Sequence, residues 1–197
     1  VVPQVGNSFI ASYIVSNADA DGPLTFSIDF TALDGGIDGA TVKSTTDNSR
    51  VTIDRTPPPP FDVAETVSTL GGNIFAGKWN STNTGINVTV RLPDDATLIG
   101  GTLQIQASVA SGSYENLGSA HTIGGSEPNT SVTSSFNAST FEALSSGISN
   151  GESILFKAIL TDKAGNATTG TQSGTSIDFD QSVPAFSSVT PSSNSSV

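Results

Sequence analysis

Apolar and polar residues alternate one for one along several stretches of the chain. Leu24, Phe26, Ile28 and Phe30 are separated by Thr25, Ser27 and Asp29, and the same rhythm runs through Phe9, Ala11, Tyr13 and Val15. It returns in Ile86, Val88, Val90 and Leu92, and in Leu103, Ile105, Ala107 and Val109. A period of two places one set of side chains on one face of a strand, so each stretch predicts a half-buried antiparallel strand. Ile154 to Leu160 is apolar on both parities except at Lys157, which predicts a central strand with Lys157 near an open face. Asp21-Gly22, Asp34-Gly35-Gly36, Gly71-Gly72, Gly100-Gly101, Gly124-Gly125 and Asn150-Gly151 punctuate the pattern as turns. Only Ser139-Thr140-Phe141-Glu142 reads as helix: its spacing is that of a capping box, with Ser139 as the cap and Glu142 reaching back.

Short strands divided by turns predict an all-β fold of tandem sandwiches with antiparallel Greek-key sheets. An internal repeat sets the expected boundaries. Leu24 to Thr31 lies over Ile154 to Thr161 with apolar matched to apolar at each inward position, and each copy ends on a polar turn and a Ser/Thr-rich closing strand. Residues 1–56 therefore read as the latter part of a first repeat whose opening strands are missing. Residues 57–60 are a proline linker, stiffened by polyproline geometry. Residues 61–183 are the complete repeat, and residues 184–197 are a linker with the start of a third. The pattern is already under way at Val1, so the chain reads as a piece whose signal and anchor lie elsewhere.

Composition narrows the chemistry. With no cysteine there are no disulfides and no thiolate nucleophile or metal ligand. A net charge of −11 with only seven Lys and Arg opposes nucleic acid and anionic membranes as partners. No apolar run approaches the roughly 20 residues that span a bilayer as a helix. His121 is the single histidine, set in a Ser/Gly-rich strand edge with no acidic partner expected beside it, and no nucleophile-elbow pattern occurs, so no catalytic residues are expected. Asp94 and Asp95 are adjacent in a Pro-initiated turn and point apart, unlike glycosidase carboxylates, which face each other across about 5 to 9 Å.

Metal chemistry has one entry point. Asn17, Asp19 and Asp21 stand in N-x-D-x-D-G, the spacing of the first half of an EF-hand calcium loop. The second half fails, because Ile28 stands where a bidentate Glu is needed, and a solvated hairpin turn is the competing reading. Asp54 and Asp180 close the two repeats, where an interdomain calcium ion or a plain solvated strand end would each account for them. Trp79, with Phe75 and Tyr114, reads either as a core anchor or as a platform for surface glycans.

Three motifs carry a family likeness: Thr161-Asp162-Lys163-Ala164-Gly165-Asn166, Val51-Thr52-Ile53-Asp54-Arg55-Thr56-Pro57-Pro58, and Lys78 to Gly85 followed by Ile86 to Arg91. On these the chain resembles the bacterial immunoglobulin-like repeats of very long surface adhesins, especially of marine bacteria. The resemblance covers nearly the whole chain, although Leu33-Asp34-Gly35-Gly36 replaces the usual Ala-Gly-Asn turn in the first unit. It implies a non-enzymatic, extracellular stalk at the bacterial cell surface whose partners are neighbouring repeats. Two alternatives accompany it: a filament subunit in which strands from other copies complete the first unit, and a carbohydrate-binding module.

Overall fold

The computed structural model describes residues 2–3, 9–16, 18–32, 34–145, 147–185 and 188. They are mostly β, in antiparallel-rich sheets, and the chain divides into two compact units, Val1–Thr56 and Pro57–Val197.

Among its described residues the first unit holds four two-residue strands: β1 (Val2–Pro3) paired with β2 (Phe9–Ile10), and β3 (Gly22–Pro23) paired with β4 (Thr52–Ile53). Beyond β3 the pairing thins to the Leu24 N–H on the Val51 carbonyl and a two-way bridge between Ile28 and Val42. The half-buried strands expected at Phe9–Val15 and Leu24–Phe30 are therefore not formed as such. Phe26 is 41% exposed, Ile28 47% and Phe30 56%, while Ile53 alone among the described apolar residues of this unit is buried. The reason is physical: alternation presents an apolar face, but burial needs a second layer to cover it, and the described residues of 1–56 form only two-residue pairings. Leu33, in the substituted turn, lies outside the described residues. Around it, Asp38 Oδ1 accepts the Ala32 N–H (2.8 Å) and the Phe30 carbonyl accepts the Gly39 N–H (3.0 Å).

The second unit has two facing layers around one core. One sheet runs β5 (Val63–Leu70), β7 (Gly85–Arg91), β11 (Ser131–Asn137), in the order β5-β7-β11. The other is built on β8 (Thr102–Val109) and β12 (Ser153–Thr161), with β10 (His121–Thr122) and β9 (Glu115–Asn116) on β8. On the far side of β12 lie β13 (Ala167–Thr169) and β14 (Ile177–Phe179), and β14 pairs in parallel with β6 (Lys78–Trp79). Ile86, Val88 and Val90 from the first sheet join Leu103, Ile105, Ile154, Phe156 and Leu160 from the second in one hydrophobic cluster. Each fully buried aliphatic or Phe side chain contributes about 1.5–3 kcal/mol.

The outward positions are polar and locked across strands: Thr89 and Thr133 hydroxyls lie 2.9 Å apart, and Ser135 Oγ donates to Asn87 Oδ1 (2.7 Å). β12 is central, as its composition predicts, and Lys157 lies on its half-exposed face with Nζ 4.4 Å from the centre of the Tyr114 ring. Gly101 marks a close approach, because a Cβ there would lie 2.1 Å from the Thr161 carbonyl oxygen.

Among the described residues the α-helix, α1 (Ala138–Glu142), starts earlier than the capping-box reading places it. Asn137, not Ser139, is the cap: its Oδ1 accepts the Thr140 N–H at 2.8 Å. Glu142 does not reach back but accepts Trp79 Nε1–H at 2.9 Å and the Gln181 amide at 2.5 Å. Asn137 also ends β11, so strand and helix meet at the cap.

Candidate functional site

The calcium candidates are held by local hydrogen bonds rather than gathered around a common point. Asn17 lies outside the described residues. Asp19 accepts the Tyr13 hydroxyl and the Ser16 N–H (2.5 Å), and the Tyr13 bond foremost holds its carboxyl below the usual range. Asp21 accepts the Thr56 hydroxyl, which does most to lower its pKa, and the Arg55 N–H at 2.9 Å. The expected cation loop is in this respect a clasp between residues 13–21 and the closing strand at 55–56. Asp54 Oδ1 accepts the Thr56 N–H at 3.2 Å, and Asp180 Oδ1 accepts the Ser182 hydroxyl and N–H (3.0 Å), the hydroxyl being the main cause of its lowered pKa. Among the described residues no group of three His, Cys, Asp or Glu is placed to hold a metal ion.

His121 departs from expectation. Its Nε2 lies 2.9 and 3.0 Å from the two carboxylate oxygens of Glu127, six residues on, because the turn through Gly124-Gly125 folds the chain back. The Gly124 N–H (2.6 Å) and then His121 hold the Glu127 carboxyl below the ordinary value. The pair is half-exposed and braces the turn through Gly124-Gly125. Sequence reasoning missed it by looking for neighbours in sequence instead of residues joined by a two-glycine turn. Asp95 caps a 3₁₀ turn at Ala96–Leu98 by accepting the Thr97 N–H (2.9 Å), which gives that carboxylate a structural role.

The aromatic candidates separate. Trp79 is fully buried, its ring centroid 4.6 Å from that of Phe141, and so offers no face to a sugar. Tyr114 is half-buried, with Lys157 over its ring and its hydroxyl donating to Gln172 Oε1 (2.7 Å). Phe75 is 62% exposed beside a groove of about 390 Å³ lined by Asn73, Lys78, Asn80, Thr82, Asp180 and Val183. The polar walls of that groove are largely committed already: Asn80 donates to the Asn73 carbonyl (2.7 Å) and accepts from Thr82.

At the same end of the unit Lys78 Nζ lies 2.7 Å from Asp178 Oδ2, joining β6 to β14. This contact, followed by the Ser153 hydroxyl, lowers the Asp178 pKa. A carboxyl with a depressed folded pKa stabilises fully above its unfolded value, about 3.9, and loses that contribution as pH falls through the lower folded value. Lys78→Met is therefore expected to flatten the decline in Tm between about pH 5 and pH 2, the flattening being smaller in high salt because the pair is partly exposed. Equal slopes for wild type and variant in a thermal-melt pH series would refute the role.

No protein-family model matches the chain, and neither does any curated protein or any solved structure. Among the described residues no helix is long and apolar enough to cross a membrane.

Proposed function

We propose that the chain is a non-catalytic stalk segment of a bacterial cell-surface adhesin or extracellular fibre, made of immunoglobulin-like sandwich modules in tandem. The observation that carries this reading is a shared register. In the first unit Leu24 faces Val51, Pro23 faces Thr52 and Gly22 faces Ile53; in the second, Ile154 faces Ile177, Ser153 faces Asp178, and the Phe179 N–H bonds the Glu152 carbonyl. Each closing strand then ends in the same turn, an Asp whose carboxylate accepts the N–H two residues on, at Asp54–Thr56 and Asp180–Ser182. Two sequences that differ at most of these positions share the pairing register and the closing turn, which is what a repeated module does.

Strand order supports the sandwich type. β5-β7-β11 on one side and β8-β12-β14 on the other follow the A-B-E and C-F-G sheets of the immunoglobulin fold, with the parallel β6–β14 pair beside the last strand. Pro57 to Pro60 favour an extended, stiff connection after the first closing strand. A shaft needs rigid modules and short stiff joints, and no ligand-gathering cluster.

Single-molecule pulling on the chain between surface handles tests the reading, with a glycan array run on the same preparation. The expected results are one cooperative high-force unfolding event, with a contour-length gain matching the second unit, and no glycan retained. A glycan bound specifically, or gradual yielding with no cooperative event, would overturn it.

A further inference from the structure

A cleft of about 420 Å³ opens in the first unit because its two sides are of unequal length. Between the Leu24–Val51 hydrogen bond and the Ile28–Val42 bridge, residues 25–27 on one side face residues 43–50 on the other, so the longer side arches away from the ladder. The arch is fixed by its own contacts: the Thr45 hydroxyl donates to the Ser49 carbonyl (2.8 Å), and Asp47 Oδ1 accepts the Ser49 N–H (3.0 Å). Leu24, Phe26 and Val51 give the cleft an apolar wall, while Lys43 and Arg50 stand at the two feet of the arch. Among the described residues that line it there is no Asp or Glu. Two of the seven Lys and Arg of a chain with net charge −11 therefore meet at one cleft. Among the described residues neither has an ion-pair partner.

We propose that this cleft binds an amphipathic organic anion, a carboxylate or sulfonate head on an aromatic or branched aliphatic body. The occupant follows from the lining. Arg50 and Lys43 neutralise an oxyanion head, Arg50 through its fork of N–H donors and Lys43 as a point charge. Phe26, 41% exposed, and Val51, 60% exposed, gain only from an apolar body laid over them. A bare inorganic anion would leave that wall wet, and a neutral hydrocarbon would leave two cations unneutralised beside it. The size agrees, since about 420 Å³ falls within the range of about 300–1,000 Å³ usual for small-molecule sites. At a distance the net negative charge of the chain repels anions, so retention depends on the local Lys43 and Arg50 pair. This goes beyond the stalk reading and is independent of it, because a shaft module that carries such a cleft is still a shaft.

Titration of the full, isotope-labelled chain with naphthylacetate, naphthylacetamide and acetate, followed by amide chemical shifts, tests it. Naphthylacetate is expected to bind with a Kd below about 1 mM and to move the amides of residues 24–26 and 43–51. Naphthylacetamide, which keeps the body without the charge, and acetate, which keeps the head without the body, each bind at least about tenfold more weakly. Lys43→Gln with Arg50→Gln weakens naphthylacetate binding at least about tenfold, whereas Lys43→Arg with Arg50→Lys, which keeps both charges, retains most of it. Lys163→Gln, at an exposed lysine of the second unit, leaves binding unchanged. Lys43 and Arg50 are exposed, and the Ile28 and Val42 amide shifts show in each variant that the hairpin bridge persists. Equal affinity for naphthylacetate and naphthylacetamide, shifts centred elsewhere, no saturable shift below about 10 mM, or a double Gln substitution without effect overturns the proposal.

Discussion

Trp79→Ala is expected to lower the stability of the second unit by about 3–5 kcal/mol, a large part of the 5–15 kcal/mol that a domain typically has. The side chain is fully buried, packs at a 50° tilt against Phe141, and donates Nε1–H to Glu142. Alanine leaves a cavity that five-residue α1 and two-residue β6 cannot fill without moving, and it deprives Glu142 of one of its two donors. Trp79→Phe separates these effects: it keeps most of the packing and loses the hydrogen bond, about 0.5–1.5 kcal/mol together with some lost volume. Urea unfolding followed by circular dichroism should give midpoints in the order wild type, Trp79→Phe, Trp79→Ala, at nearly constant m. A loss under 1 kcal/mol for alanine would show that the core closes without this ring. Trp79 also pairs β6 with β14, and its carbonyl accepts the Asp180 N–H at 2.8 Å.

The long strands β7, β8 and β12 were legible because two conditions held together there, whereas β5 and β11 were not read. Ile86 to Leu92, Leu103 to Val109 and Ile154 to Leu160 alternate or run apolar, and each has an opposing layer, so pattern and burial agree. Phe9 to Val15 and Leu24 to Phe30 alternate just as well but remain exposed. Periodicity reports which face of a strand is apolar; it carries no information on whether another layer arrives. The two-residue strands β6 and β9 carry no period of their own and exist because a neighbour pairs with them, so a local reading passes over them, whereas β14 is legible as the closing strand of the repeat.

Candidate sites were legible to a lesser degree. Asp19 and Asp21 attract a metal reading because alternating oxygen side chains are what calcium needs, yet the same side chains also satisfy backbone N–H groups and hydroxyls, as they do here. The two uses leave the same trace in sequence. Asp54 and Asp180 each accept the N–H two residues on, and this shared Asp-x-Thr/Ser turn is one reason for the residue type to recur. Trp79 was readable as a core anchor from its size alone. Its hydrogen bond to Glu142 was not, since 63 residues separate the partners.

Asp162→Ala is expected to cost the second unit about 2–3 kcal/mol, from loss of hydrogen bonds to a charged acceptor. In Thr161-Asp162-Lys163-Ala164-Gly165-Asn166 the carboxylate, 3% exposed, accepts the N–H groups of Gly165 (2.8 Å) and Asn166 (2.9 Å) through Oδ1 and the Asn166 side-chain amide (2.9 Å) through Oδ2. The motif is thus a self-contained cradle: Asp supplies the acceptor, Gly165 at φ +99° the turn, and Asn166 the last donor. Asp162→Asn separates charge from shape. An amide keeps one oxygen for the two backbone donors but sets an NH₂ against the Asn166 NH₂, so its cost should fall between wild type and alanine. The first unit solves the same problem differently, with Asp38 accepting the Ala32 N–H from across the turn, so Asp38→Ala is the matched comparison. It should leave the melting of the second unit unchanged, because each cradle serves its own hairpin. If Asp162→Ala shifts the urea midpoint by less than the equivalent of about 0.5 kcal/mol, water replaces the carboxylate without loss and the motif is a sequence habit with no energetic role.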